Sequence, residues 1–92
     1  MTKIIVESNP DNAKLENLGV KQWPIWEKEV SVFPWYYDEK ETAYILQGEV
    51  VVTSADGSES VTIRAGDLAV FPAGLSCQWD IKQALRKHYQ FG

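Results

Sequence analysis

The sequence is poor in the two residues that most often build a metal centre or a covalent staple. Its 92 residues hold one cysteine, Cys77, and one histidine, His88. A single thiol excludes an internal disulfide and a Cys-rich zinc site, and it suits a reducing compartment. A single imidazole excludes the usual multi-His metal site. Positive charge is also short: 9 Lys and Arg against 13 Asp and Glu leave a net charge of −4. Phosphates demand clustered cations, so no nucleic-acid partner is expected. No run approaches the ~18 apolar residues of a membrane span, and residues 1–7 hold too short an apolar stretch for a signal peptide. No membrane partner and a cytoplasmic location are therefore expected. What the chain does have is aromatic mass: four Trp, four Tyr and three Phe. In a domain that buries only roughly 60–68% of its unfolded surface, such side chains either fill the core or line a pocket.

Most of the chain reads as short strands. Residues 28–33 alternate, with Val30 and Val32 on one side and Glu29 and Ser31 on the other. Residues 41–46 form a run ending at Gln47-Gly48, and residues 49–54 follow with three valines. The turn Ala55-Asp56-Gly57 leads into the alternating residues 59–64, and Asp-Gly between β-branched runs is a strong hairpin signal. Ala65-Gly66-Asp67 is the next turn. Residues 68–71 are a short strand stopped by Pro72-Ala73-Gly74; residues 76–81 and 85–91 complete the set. Turn signals every ~8–12 residues indicate a sandwich or barrel. Near the N-terminus, Asn9 can cap a short helix with Pro10 in its first position and Gly19 at its end. Leu15 and Leu18 would lean that helix on a larger body.

Period-two alternation assigns faces. Cys77, Trp79 and Ile81 point inward, with Gln78 and Asp80 outward. In the last strand Leu85, Lys87, Tyr89 and Phe91 share one face, and Arg86, His88 and Gln90 the other. A lysine among apolar partners either snorkels to an edge or pairs with a buried carboxylate. Glu41, Ala43 and Ile45 share an inward face.

Two spacings carry a resemblance. Glu41-Thr42-Ala43-Tyr44-Ile45-Leu46-Gln47-Gly48 sets a glutamate and a glycine with six residues between them. Five residues separate Gly66 from Pro72-Ala73-Gly74, and two more separate Gly74 from Cys77. These resemble the two boxes of the cupin superfamily: His-x-His, three or four residues, Glu, six residues, Gly; then Gly, five residues, Pro-x-Gly, two residues, His. The segments Trp23-Pro24-Ile25-Trp26-Glu27-Lys28, Phe33-Pro34-Trp35-Tyr36-Tyr37-Asp38, Cys77-Gln78-Trp79 and Arg86-Lys87-His88-Tyr89 resemble the small cupins of the ureidoglycine aminohydrolase-like, DUF861-type group. The resemblance implies an all-β fold: a single cupin β-barrel of the jelly-roll type with a short N-terminal helix. It would occupy residues 1–92, with an N-terminal strand and helix arm over 1–27 and the barrel over 28–91. It also implies that the metal-ligand positions fall on Trp35, Tyr37, Glu41 and Cys77. Three of these are not histidine, and an indole nitrogen is a donor only. No metal or other cofactor is expected, although an atypical divalent ion on a Glu/Cys/Tyr/His set remains the alternative.

Each candidate has a plain and a functional reading. Glu41 is either a carboxylate paired with Lys87 or Tyr37, or a general acid or base. Cys77 is either an inert core thiol or a nucleophile activated by a nearby cation. His88 is either solvated or a proton shuttle. Lys87 is a candidate proton donor or ligand-orienting group. Trp35, Tyr37 and Trp79 are the ligand-binding candidates, favouring a flat, apolar or cationic partner. Three functions follow: binding of, or weak metal-free action on, a small and nitrogen-containing metabolite; a structural or interaction module; or a metal-dependent aminohydrolase or dioxygenase. Exposed sheet edges favour a homodimer, with residues 50–53 and 4–6 as interface pieces.

Overall fold

Two long strands organise the chain. β4 (Glu41–Ser54) and β7 (Ser76–Phe91) pair antiparallel over almost their whole length. Around them lie β1 (Ile5–Ser8), β2 (Ile25–Lys28), β3 (Ser31–Tyr36), β5 (Ser60–Arg64) and β6 (Asp67–Phe71). The structure, a computed structural model, describes residues 3–92. Every strand pairing is antiparallel. The order is β1-β6-β4-β7-β2, with β3 also on β7 and β5 also on β4. The inner face wraps a core that includes Ile45, Val50, Val52, Ile63, Phe71, Leu75, Trp79 and Ile81.

The predicted barrel is not closed. The end strands β1 and β2 do not pair with each other, and each has only four residues. The chain between them forms a helix and a 3-10 turn instead of further ladder. The strand of the predicted N-terminal arm, β1, is hydrogen-bonded into the same sheet as the rest, and so is β2, which begins at the arm's end.

The sequence predicts two strands where β4 runs unbroken, because Gly48 looks like a stop. In fact Gly48 adopts φ +99°, and a Cβ there would lie 2.3 Å from the Ala84 carbonyl oxygen. Only glycine lets β7 pass so closely in that conformation. The register between β4 and β7 shifts around it, between Ile45 and Val50. This bulge re-phases the strand. Glu41, Ala43 and Ile45 are buried before it, and Val50, Val52 and Ser54 after it. β7 likewise continues through residues 82–84, between the two short strands that the sequence predicts.

The helix starts later than predicted. It spans Asn12–Leu18, capped by Asp11, whose side chain accepts from the Lys14 amide at 2.9 Å. Asn9 instead takes a left-handed φ of 50° and donates its amide to the Gly66 carbonyl. Gly19 ends the helix in the left-handed conformation. No residue of the helix is buried, and Leu18 is largely exposed. The anchoring side chain is Val20, in the following 3-10 turn Val20–Gln22. The Asp-Gly hairpin forms as read: Asp56 accepts from the Ser58 hydroxyl and amide and from the Ser54 hydroxyl. These bonds hold its carboxyl down at about 2. No helix among the described residues is long and apolar enough to cross a membrane.

Gly48→Ala combines a left-handed φ with a backbone collision. It should destabilise the domain by about 2–4 kcal/mol, measured as a lowered midpoint in urea unfolding with an unchanged slope.

Candidate functional site

The inner face of the sheet surrounds a cavity of about 230 Å³, lined by Trp26, Phe33, Trp35, Tyr37, Glu41, Trp79, Lys87, Tyr89 and Phe91. Trp35 and Phe91 are well exposed and mark its mouth. Alternation within each strand explains the lining. Phe33 and Trp35 are two apart on β3. Lys87, Tyr89 and Phe91 are two apart on β7, and Trp26 of β2 is the cross-strand partner of Lys87.

The charged centre is an ion pair. Lys87 Nζ lies 2.6 Å from Glu41 Oε2, and their side chains are only 7% and 4% exposed. Glu41 starts β4, where it pairs across the ladders with Phe71 and Phe91. Lys87 reaches it along the inner face. The ammonium also lies 4.6 Å from the Trp79 ring centroid, 4.9 Å from that of Trp26 and 6.0 Å from that of Tyr89. Three electron-rich faces and one carboxylate therefore replace its water shell. Burial still pulls the Lys87 ammonium below the usual lysine range, against the charge and hydrogen bond of Glu41, which favour the protonated form.

Tyr37 follows β3 and is clamped by the loop before β7. Its amide donates to the Leu75 carbonyl at 3.0 Å, and its carbonyl accepts from the Gly74 amide at 2.8 Å. Its ring stacks on Phe71 at 5.0 Å between centroids, with planes only 3° apart. The Tyr37 hydroxyl is buried without a hydrogen-bond partner, and so is the Trp79 indole Nε1. Burial, then the Glu41 carboxylate and Cys77 nearby, push the hydroxyl far above the usual tyrosine range, against the neighbouring Trp79 indole N–H, which pulls the other way. It remains an O–H donor at any physiological pH.

Cys77 lies on the inner face but does not line the cavity. It pairs across the ladder with Trp35 and donates weakly to the Trp35 carbonyl at 3.6 Å. Burial first, and the Glu41 charge in addition, push its thiol up to about 11. It is therefore a neutral thiol near pH 7, not a thiolate.

His88 is not brought to the cavity. Alternation turns it to the outer face, where Nδ1 lies 2.9 Å from the Trp23 carbonyl oxygen. There it lines a separate groove with Leu15, Val20, Tyr44 and Leu46. Of the residues singled out in the sequence, Trp35, Tyr37, Glu41, Trp79 and Lys87 converge on one cavity. Cys77 sits behind it and His88 on the other side of the sheet. Trp26, Phe33, Tyr89 and Phe91 were not singled out as binding residues. Alternation in β3 and β7 could have found three of them, whereas Trp26 required the β2–β7 pairing.

The box positions do not fit a divalent ion. Trp35 offers no acceptor nitrogen, and the Glu41 carboxylate is already engaged by an ammonium. No three His, Cys, Asp or Glu side chains among the described residues group into a metal set.

An antiparallel sheet of this topology, with the first box opening on an interior cavity, defines a small cupin domain. The chain belongs to the EutQ-like cupin family, whose model matches residues 15–89. A DUF861 family protein from Thermotoga maritima is similar over 98% of this chain and 100% of its own, with 50% identity and a TM-score of 0.94. A putative ethanolamine utilization protein Q from Salmonella typhimurium shares 27% identity over 73% of this chain and 53% of its own, with a TM-score of 0.65. A DUF861 family protein of unknown function from Pseudomonas syringae shares 25% identity over 74% of this chain but only 29% of its own, also at 0.65. No curated protein matches the chain.

Breaking a buried pair strands the remaining charge. Glu41→Gln should cost about 3–5 kcal/mol in chemical unfolding, and the double change Glu41→Gln/Lys87→Met should recover most of that loss. A single variant as stable as the wild type would show that the pair is not buried in solution.

Proposed function

We propose that this cupin binds a small, flat, largely apolar metabolite in its interior cavity without a metal ion. The observation that carries this reading is the buried, unpartnered Tyr37 hydroxyl on a cavity walled by aromatic rings. A buried donor without an acceptor costs about 1–3 kcal/mol. A ligand that presents a carbonyl oxygen or a ring nitrogen would remove that cost, while Trp26, Phe33, Trp35 and Trp79 take its faces. A nitrogen-containing metabolite meets both demands. The Glu41–Lys87 pair supplies a proton acceptor and donor at the same wall, so weak acid–base action on the bound molecule is within the chemistry of the site.

The competing reading is a structural or interaction module. It draws on the close packing of Trp26, Phe33 and Trp79, whose ring centroids lie 6.1–6.4 Å apart. An aminohydrolase or dioxygenase reading would need metal ligands from a set in which Glu41 is already paired, and it stands third. The lone thiol favours a cytoplasmic setting.

A thermal-shift screen of heteroaromatic and carbonyl compounds tests the binding proposal. Hits should raise the wild-type melting temperature and lose most of that shift in Tyr37→Phe. The variant itself should be at least as stable as the wild type when unliganded, because it deletes an unpaired hydroxyl. A library that leaves the wild type unmoved would favour the structural module.

The proposal extends to a homodimer. Of the interface pieces read from the sequence, Val50, Val52 and Ile4 are in the core, while Ile5 is exposed. A better strip is Val32 and Tyr36 on β3, whose other edge is unpaired among the described residues, with Val30 just before it, all more than half exposed. Covering such an edge with a second copy removes an aggregation hazard. Light scattering on a sizing column should give a dimer mass that Val32→Lys halves; a monomeric wild type at micromolar concentration would exclude it.

A further inference from the structure

Lys87 combines features that a solvent-exposed lysine lacks. Its amine lines the cavity rather than the surface, and it touches one carboxylate at 2.6 Å. That carboxylate can take its proton without any rearrangement of the chain. Two of the side chains that line the same cavity carry buried donors with no hydrogen-bond partner, the Tyr37 hydroxyl and the Trp79 indole N–H. An electrophilic carbonyl satisfies all of these at once. Its oxygen accepts from the idle donors, and its carbon faces the amine. Donors fixed in a water-poor site stabilise the charge that develops on such an oxygen as its carbon is attacked. A buried amine beside a proton acceptor is the arrangement that lets lysine act as a nucleophile toward carbonyls.

We propose that Lys87 condenses with a small aldehyde or ketone held in the cavity to form an imine. The proposal rests on the ligand-binding reading above and names its ligand class. Glu41 takes one proton from the Lys87 ammonium. The freed nitrogen lone pair forms a bond to the carbonyl carbon, and the C=O π pair moves onto the oxygen, which the Tyr37 hydroxyl and Trp79 N–H receive. One proton passes from nitrogen to that oxygen, giving a neutral carbinolamine. Glu41 then returns its proton to the hydroxyl, which leaves as water while the nitrogen lone pair closes the C=N bond. One ammonium and one carbonyl become one protonated imine and one water, with no oxidant or reductant. The new cation sits where the ammonium sat, against the Glu41 carboxylate and over Trp26 and Trp79.

The test is reductive trapping. The purified protein is incubated with benzaldehyde, reduced with sodium cyanoborohydride, and mapped by intact mass and peptide mass spectrometry. A single benzyl group on Lys87, formed at least about a hundredfold faster than on any of the six other lysines, supports the proposal. Lys87→Arg should then bring total incorporation down to the slow background of those six. Benzyl alcohol, which fits the same space but cannot condense, is run beside it in a thermal-shift assay on the wild type. Labelling of the other lysines with Lys87 untouched overturns the imine proposal. If benzyl alcohol still raises the melting temperature in that case, the binding reading survives alone; if it does not, both fall. The wild-type map decides the matter even if Lys87→Arg does not fold.

Discussion

The ion pair between Lys87 and Glu41 is the constraint around which the interior is arranged. A buried charge is tolerable only when it is paired and its surroundings are electrically accommodating. Here the carboxylate opens β4 and the ammonium hangs from β7, the two strands that carry the sheet. Trp26 and Trp79 supply ring faces to the cation from β2 and β7. The positions of two tryptophans, the facing of two strands and the polarity of the cavity are therefore coupled through one 2.6 Å contact. The Tyr37 hydroxyl, buried on the same cavity wall, has no hydrogen-bond partner beside this pair.

Of the four box positions, this chain keeps only the glutamate. In this chain the positive charge facing Glu41 is the Lys87 ammonium, supplied by the last strand. Trp35, Tyr37 and Cys77 occupy the remaining box positions as a mouth residue, a buried hydroxyl and a thiol behind the wall. The Thermotoga maritima relative, alike in length and half identical in sequence, shows that this small single-sheet form is not peculiar to one chain. The Salmonella typhimurium relative carries the likeness in only about half of its length.

Much of the fold was legible because strands obey a period of two. The inward set Glu41, Ala43 and Ile45, the inward set Cys77, Trp79 and Ile81, and the choice of Lys87 over His88 all follow from alternation. So does the hairpin at Asp56-Gly57. Alternation fails where a glycine permits one extra residue. Gly48 reads as a strand end, whereas in three dimensions it is the point at which β4 bulges and continues past Ala84. The helix starts at Asn12 instead of after Asn9 because of a tertiary contact. Asn9 and Asp11 are both good caps, and the choice fell to Asp11 because Asn9 is held by Gly66, far away in sequence.

The sequence by itself determined the class of fold, the two boxes, the face of each strand and the absence of the customary histidines, because these rest on spacing and on residue chemistry. The tertiary structure alone decided which partners meet. Whether Lys87 would reach a surface or a carboxylate depended on strand pairing. So did the arrival of Trp26 beside it, the exclusion of Cys77 from the cavity wall, and the open edge between β1 and β2. Contacts between residues tens of positions apart leave no periodic trace in the chain. The Glu41–Lys87 pair and the packing of Trp26 against it are contacts of that kind.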